Sequence, residues 1–123
     1  MVKQIGIIGN GFVGNAIYEG FKDYHKLYVY DKLEEKRLHS LSDINKSKYV
    51  FICVPTPMSE TGEINLSTLI DSISSLKKGK IIIVKSTVTP ASAEELMRIY
   101  PQQDFVFNPE FLTESNHKSD FVN

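Results

Sequence analysis

The stretch "IGIIGNGFVGNA" (residues 5–16) decides the fold. It opens on a short, nearly unbroken apolar run of strand type, "IGIIG", and passes through Gly9-x-Gly11-x-x-Gly14. The apolar spacing then becomes helical, with Phe12, Ala16, Ile17 and Phe21 on one face over 12–24 and Tyr24 nearby. A strand that turns through glycines into a helix is the geometry of a phosphate-binding turn. Gly9 permits the tight turn, Gly11 lets backbone N–H groups approach a pyrophosphate, and Gly14 lets the helix pack closely on the strand. The helix N-terminus adds partial positive charge toward the phosphates. Glycines alone are a weak signal, because a purely structural turn uses the same residues. Asp31 strengthens it: the second strand ends there, twenty residues beyond Gly11. A carboxylate at that place accepts both ribose hydroxyls and repels a 2′-phosphate, so NAD is expected over NADP. Lys32 and Lys36 follow closely and weigh slightly the other way, although Lys32 reads as a simply solvated side chain.

Outward from this unit, strand-length apolar runs recur at "LYVYD" (27–31), "YVFICV" (49–54), "KIIIVKS" (80–86) and "DFVF" (104–107). Most are β-branched or aromatic and nearly continuous, as strands covered on both faces should be. Segment 65–77 places Leu66, Leu69, Ile70, Ile73 and Leu76 at helical spacing. "PASAEELMRIY" opens with Pro90, carries Glu94 and Glu95 early and Arg98 late, and stops before Pro101. Alternating strands and helices predict right-handed parallel crossovers and an α/β doubly wound sheet of about five strands, in the order 3-2-1-4-5. The connection 32–48 is the weakest element, with room for one short helix and a loop. A single dinucleotide-binding domain over 1–123 is expected, its sixth strand falling beyond Asn123.

The totals narrow the class. At 123 residues the chain suits one core, and a net charge of −1 with both signs interspersed gives no basic field for nucleic acid. No apolar run approaches the ~20 residues of a membrane span. With one cysteine, Cys53, no internal disulfide is possible, and a reducing, cytoplasmic setting is expected. His25, His39 and His117 are far apart and lack metal-ligand spacing, so no metal is expected. The six tyrosines fall in strands and helices and read as packing residues.

Ligands of a doubly wound sheet sit beyond the carboxyl ends of its strands, and three further strand ends are chemically unusual. "CVPTPMSETG" leaves the third strand with Pro55 and Pro57 bracketing Thr56, which fixes the threonine hydroxyl. "VKSTVTP" leaves the fourth with Ser86, Thr87 and Thr89, of which Thr89 reads as a helix cap. "NPEFLTES" (108–115) leaves the fifth with Glu110 and Glu114 around Phe111 and Leu112. Helix-start chemistry explains such acids as well as a reaction does.

Taken in order, "GIIGNGFVG", "FICVPTP", "VKSTVTP" and "NPEFLTE" resemble the amino-terminal Rossmann-type domain of the UDP-glucose/GDP-mannose dehydrogenase family. The resemblance spans nearly the whole chain, and the last three motifs are far more specific than the glycines. It implies oxidation of the C6 alcohol of a nucleotide sugar, UDP-glucose being the expected one, to a carboxylate. That takes two NAD-dependent steps and passes through a cysteine-bound intermediate. It implies cofactor contacts from Gly9, Gly11, Phe12, Val13, Gly14, Asp31, Lys36, Val54, Pro55, Thr56, Ser86, Thr87 and Glu114. Thr87, Glu110 and Glu114 would be catalytic, and Glu110, Phe111, Leu112, Thr113 and Glu114 would line the sugar. A carboxylate desolvated beside Phe111 and Leu112 would have its pKa raised toward that of a useful general base.

The family's nucleophilic cysteine belongs to a later domain, in a glycine-rich segment not found in these residues. Cys53, inside "VFICV", reads as a buried structural thiol. The family's long insertion between its second and third strands is also missing from 32–48. The chain is therefore expected to be the cofactor half of such an enzyme, inactive alone and completed by a C-terminal domain or paired as a homodimer. Two alternatives stand beside it. Another hydroxyacid dehydrogenase of the same superfamily would need a lysine on a later helix and leaves "NPEFLTE" unexplained. A non-catalytic dinucleotide-binding module would need only the phosphate loop.

Overall fold

The apolar runs become five parallel strands in a computed structural model that describes residues 2–57, 60–61 and 64–108. They are β1 (Gln4–Ile8), β2 (Lys26–Tyr30), β3 (Tyr49–Ile52), β4 (Ile81–Val84) and β5 (Asp104–Phe107). Between them lie α1 (Phe12–Phe21), α2 (Leu41–Ile44), α3 (Ser67–Ser74) and α4 (Pro90–Ile99). The sequence places all five strands and α1, α3 and α4 to within a few residues, and α2 is the one short helix for which 32–48 has room. Thr89 caps α4 as expected, its hydroxyl accepting the Ser92 N–H at 3.1 Å with Pro90 at the first helical position.

Side chains alternate between two cores. On one face Ile5, Ile7, Leu27 and Val29 pack with Ile17 of α1. On the other, Ile8, Val50, Ile52, Ile82 and Val84 pack with Ile44 of α2, with Leu69 and Ile73 of α3, and with Leu96 of α4. Gly6 lets α2 sit directly on β1: a Cβ there would lie 3.0 Å from the Ile44 Cγ2. Phe12 departs from its expected place on the core face of α1. It is 53% exposed, at the turn where the helix begins, while Ala16 and Ile17 of that stripe are fully buried and Phe21 packs partly buried against the same core.

The fold class is as the sequence predicts, but the strand order is β2-β1-β3-β4-β5 rather than 3-2-1-4-5. The cause lies in the short connection 31–48. It holds a 3-10 turn at Glu34–Lys36, then a segment that covers the outer edge of β2, then α2. The N–H groups of Leu38 and His39 donate to the Val29 carbonyl at 3.1 and 2.7 Å. The Val29 N–H donates to His39 Nδ1 at 2.9 Å. With that edge satisfied, β3 pairs on the free side of β1 instead, in the register Ile5↔Tyr49 to Ile8↔Ile52. The topology reverses between β1 and β3, and that is where a doubly wound sheet opens a crevice for a ligand.

Candidate cofactor site

The exits of β1, β2 and β3 enclose a cavity of about 530 Å³ at the carboxyl edge of the sheet. Gly9 and Gly11 lie in its wall with Asp31, Lys36, Val54 and Pro55, so six of the residues singled out from sequence meet in one place. Gly9 has φ +102°, and a Cβ on it would come within 2.7 Å of the Cys53 carbonyl oxygen, so only glycine suits the turn. Gly14 is needed for a different contact from the one expected. A Cβ there would come within 1.9 Å of the Gly9 carbonyl oxygen, so the helix packs chiefly on the turn itself. Gly11 differs from both. A Cβ on it would meet nothing within 4 Å, so the fold leaves this position open toward the cavity. No side chain caps α1 and no acid sits in its first turn.

Asp31 is held by the backbone around it. Its Oδ2 accepts the Asn10 N–H at 2.7 Å and its Oδ1 accepts the Leu33 N–H at 2.8 Å. Each oxygen keeps lone-pair capacity for a further donor, and the carboxylate plane cannot swing away. Asn10 Nδ2 donates to the Lys36 carbonyl at 2.9 Å, which ties the glycine turn to the 3-10 turn. Arg37 completes the clamp. Its Nε donates to the Asp31 carbonyl at 2.9 Å and its Nη2 to the Lys32 carbonyl at 3.0 Å, while its guanidinium lies 4.7 Å from the Tyr30 ring centre. The sequence singles out neither Asn10 nor Arg37 and offers His39 only as a surface histidine without metal-ligand spacing, because none of them carries a motif and each works only through folded contacts.

The other predicted residues distribute differently. Thr56, Ser86 and Thr87 are not in the cavity wall. The Thr56 hydroxyl donates to the Thr87 carbonyl at 2.8 Å and the Ser86 hydroxyl to the Val54 carbonyl at 2.6 Å, strapping the exits of β3 and β4 together. Thr87 itself is exposed at that edge. Val13 is half-buried against the β1–β2 core, outside the cavity wall. Cys53 corrects the expectation of a buried thiol: it is half-buried and borders the cavity, with its carbonyl against Gly9. Glu110, Phe111, Leu112, Thr113 and Glu114, like His117, lie outside the described residues. The chain reaches them from Asn108, whose N–H donates to the Val84 carbonyl at 3.0 Å, at the same carboxyl edge as the cavity. No group of three metal-ligating side chains occurs among the described residues, and no described helix is long and apolar enough to cross a membrane.

A glycine turn, an uncapped helix start and a carboxylate held by backbone N–H groups around one crevice define a dinucleotide-binding α/β domain. The comparisons with known proteins then specify it. The model of the UDP-glucose/GDP-mannose dehydrogenase family, NAD binding domain, matches residues 22–123, and the chain belongs to that family, with NAD as its cofactor. The UDP-glucose 6-dehydrogenase of Rickettsia bellii is 34% identical over 107 residues, covering 77% of this chain and 25% of the relative. The UDP-glucose 6-dehydrogenase TuaD of Bacillus subtilis is 26% identical, covering 99% of this chain and 36% of its own. That match runs over 166 positions, more than this chain possesses, so the relative carries residues within it that are lacking here. Among solved structures, the UDP-D-ManNAc dehydrogenase of Pyrococcus horikoshii superposes with a TM-score of 0.83 at 19% identity, over 95% of this chain and 38% of that one. The likeness confirms the fold. The chain spans between a quarter and two fifths of the length of these proteins.

Proposed function

We propose that this chain is the NAD-holding part of a cytoplasmic nucleotide-sugar 6-dehydrogenase of the kind that converts UDP-glucose to its uronate. The observation that carries the reading is the single crevice shared by Gly9, Gly11 and Asp31, with Gly11 left open to it and Asp31 fixed by two backbone N–H groups. These residues fit the dinucleotide: the turn and the start of α1 suit its phosphates, and the carboxylate suits the ribose diol. When bound, NAD supplies the hydride acceptor. The protein's own work is to hold and orient. Asp31 selects an unphosphorylated ribose, and Lys36 closes the outer wall. The Thr56 and Ser86 straps keep the exits of β3 and β4 in fixed relation, so that Thr87 stands at the edge where the substrate carbon would lie.

In this reading Glu110 takes the proton of the sugar alcohol or assists the later hydrolysis, Glu114 stands between cofactor and sugar, and Phe111, Leu112 and Thr113 line the sugar. Support comes from the family match, which extends through these positions. Cys53 cannot serve as the nucleophile beside a sugar, because it borders the cavity beneath the phosphate turn. The 123-residue chain is accordingly expected to bind NAD without oxidising a nucleotide sugar, the sugar site being completed by a further domain or a second subunit. Mapping amide shifts during titration tests this. NAD should perturb Gly9, Gly11, Asp31 and Val54, and a response confined to other parts of the fold would overturn the assignment.

A further inference from the structure

The cavity has a wall that neither the glycine turn nor Asp31 explains. Thr68, Asp71, Ser72 and Ser75 of α3 and its C-terminal cap lie at i, i+3, i+4 and i+7 and face it as a polar stripe, beside the buried apolar stripe of Leu69 and Ile73. Every hydroxyl hydrogen on that stripe is already committed. Thr68 Oγ1 donates to the Pro55 carbonyl at 2.9 Å, Ser72 Oγ to the Thr68 carbonyl at 2.8 Å, and Ser75 Oγ to the Ser72 carbonyl at 2.6 Å. What remains toward the cavity is lone pairs. Asp71 adds an exposed carboxylate that makes no hydrogen bond or ion pair of its own among the described residues. An ionised carboxylate can only accept. The side chains of this wall therefore offer acceptors and no free donor. An exocyclic amine satisfies such a wall, whereas a carbonyl oxygen at the same atom meets lone pair against lone pair, and the neighbouring ring N–H of a 6-oxopurine reaches the wall only if the base shifts.

We infer that α3 reads the base of the dinucleotide, with Asp71 accepting a hydrogen bond from the exocyclic amine of a 6-aminopurine. The site thereby rejects a 6-oxopurine in its place. Asp71 is a specificity-determining residue in this account. The inference rests on the dinucleotide reading of the cavity, and its test separates the two. Affinities of the 123-residue chain are measured for NAD and for nicotinamide hypoxanthine dinucleotide, which carries a carbonyl where adenine has its amine. NAD should bind about tenfold more tightly. Asp71→Ala should bring the two to within about threefold, chiefly by weakening NAD. Asp31→Ala should weaken both alike and keep their ratio. Melting curves check that the exposed Asp71 site tolerates alanine, and Asp71→Asn, which keeps the size and adds a donor, should narrow the ratio as well. Equal affinities in the parent chain, or a ratio that neither Asp71 variant changes, would overturn base reading and leave NAD binding intact. Binding of neither dinucleotide would overturn both.

Discussion

Two crossovers leave the cofactor edge of the sheet, and they are built by different means. The first, from β1 through α1 to β2, is held by backbone shape: Gly9 and Gly14 approach neighbouring carbonyls more closely than any side chain allows. The second, from β2 to β3, has little regular structure and is held by side chains. Asn10, Arg37 and His39 each tie a backbone group of this segment or of the strand beside it. Ser40 and Asp43 form a reciprocal capping box at the start of α2. The Asp43 carboxyl is held below the ordinary carboxylate range, first by Lys46 and then by the Ser40 N–H. A crossover made of shape fails all at once when its shape is changed. A crossover made of separate clamps loses stability one clamp at a time.

The largest effect should therefore come from the first crossover. Gly14→Ala drives a Cβ to 1.9 Å from the Gly9 oxygen, and the turn must open to admit it. A loss of about 3 kcal/mol is expected from overpacking against backbone, measured by urea denaturation. His39→Phe in the second crossover should cost about 1–3 kcal/mol. The ring keeps its edge contact with Tyr28, and the Val29 N–H loses its acceptor. If His39→Phe proves the more damaging, the contrast between the two crossovers is wrong. Gly11→Ala sharpens the comparison inside the first crossover. With nothing within 4 Å of the new Cβ, stability should change by about 1 kcal/mol or less, while NAD affinity should fall about tenfold or more. Parallel melting and titration of this one variant separate the residue's use for the fold from its use for the ligand.

The smallest effect lies at the opposite, amino edge. The buried Lys80 ammonium donates to the Asn45 and Ser47 carbonyls at 2.7 and 2.5 Å, closing the end of α2. Burial first, then the positive charges of Lys77 and Lys48, push its pKa below the usual 10.5. Between that lowered value and 10.5 the unfolded chain holds the proton more firmly than the folded one, so the folded state gains stability as pH rises through this window. Lys80→Met should flatten that alkaline rise in stability, as followed by denaturation at a series of pH values. An unchanged slope would show that Lys80 is not its source.

The same contrast explains how much the sequence could tell. The turn at Gly9-x-Gly11-x-x-Gly14 and its meeting with Asp31 at one cavity were legible because a strand that turns tightly into a helix, followed by an acid at the next strand end, needs particular residues at particular spacings. The strand order was not, because alternation of strands and helices does not say on which side of β1 the third strand pairs. That was settled by His39 and Leu38 covering the edge of β2, contacts that leave no periodic trace. Thr56 and Ser86 were visible as unusual strand-exit residues, yet their straps to backbone carbonyls appear only in the fold. The α3 stripe was hidden for a related reason. "TLIDSISS" shows its apolar period plainly, and the polar positions between look like ordinary solvated surface until a cavity is seen beside them.

Titration calorimetry with NAD and NADP, on the parent chain and on Asp31→Ala, tests the central claim most directly. Two N–H groups fix the Asp31 carboxylate at the cavity wall, so, if the proposed reading holds, NAD should bind and NADP should bind more weakly. Asp31→Ala should cost NAD about 1–3 kcal/mol and remove most of the discrimination against the 2′-phosphate. Equal or tighter binding of NADP to the parent chain, or a preference for NAD that survives Asp31→Ala unchanged, would contradict the assignment of this cavity as an NAD site read by Asp31.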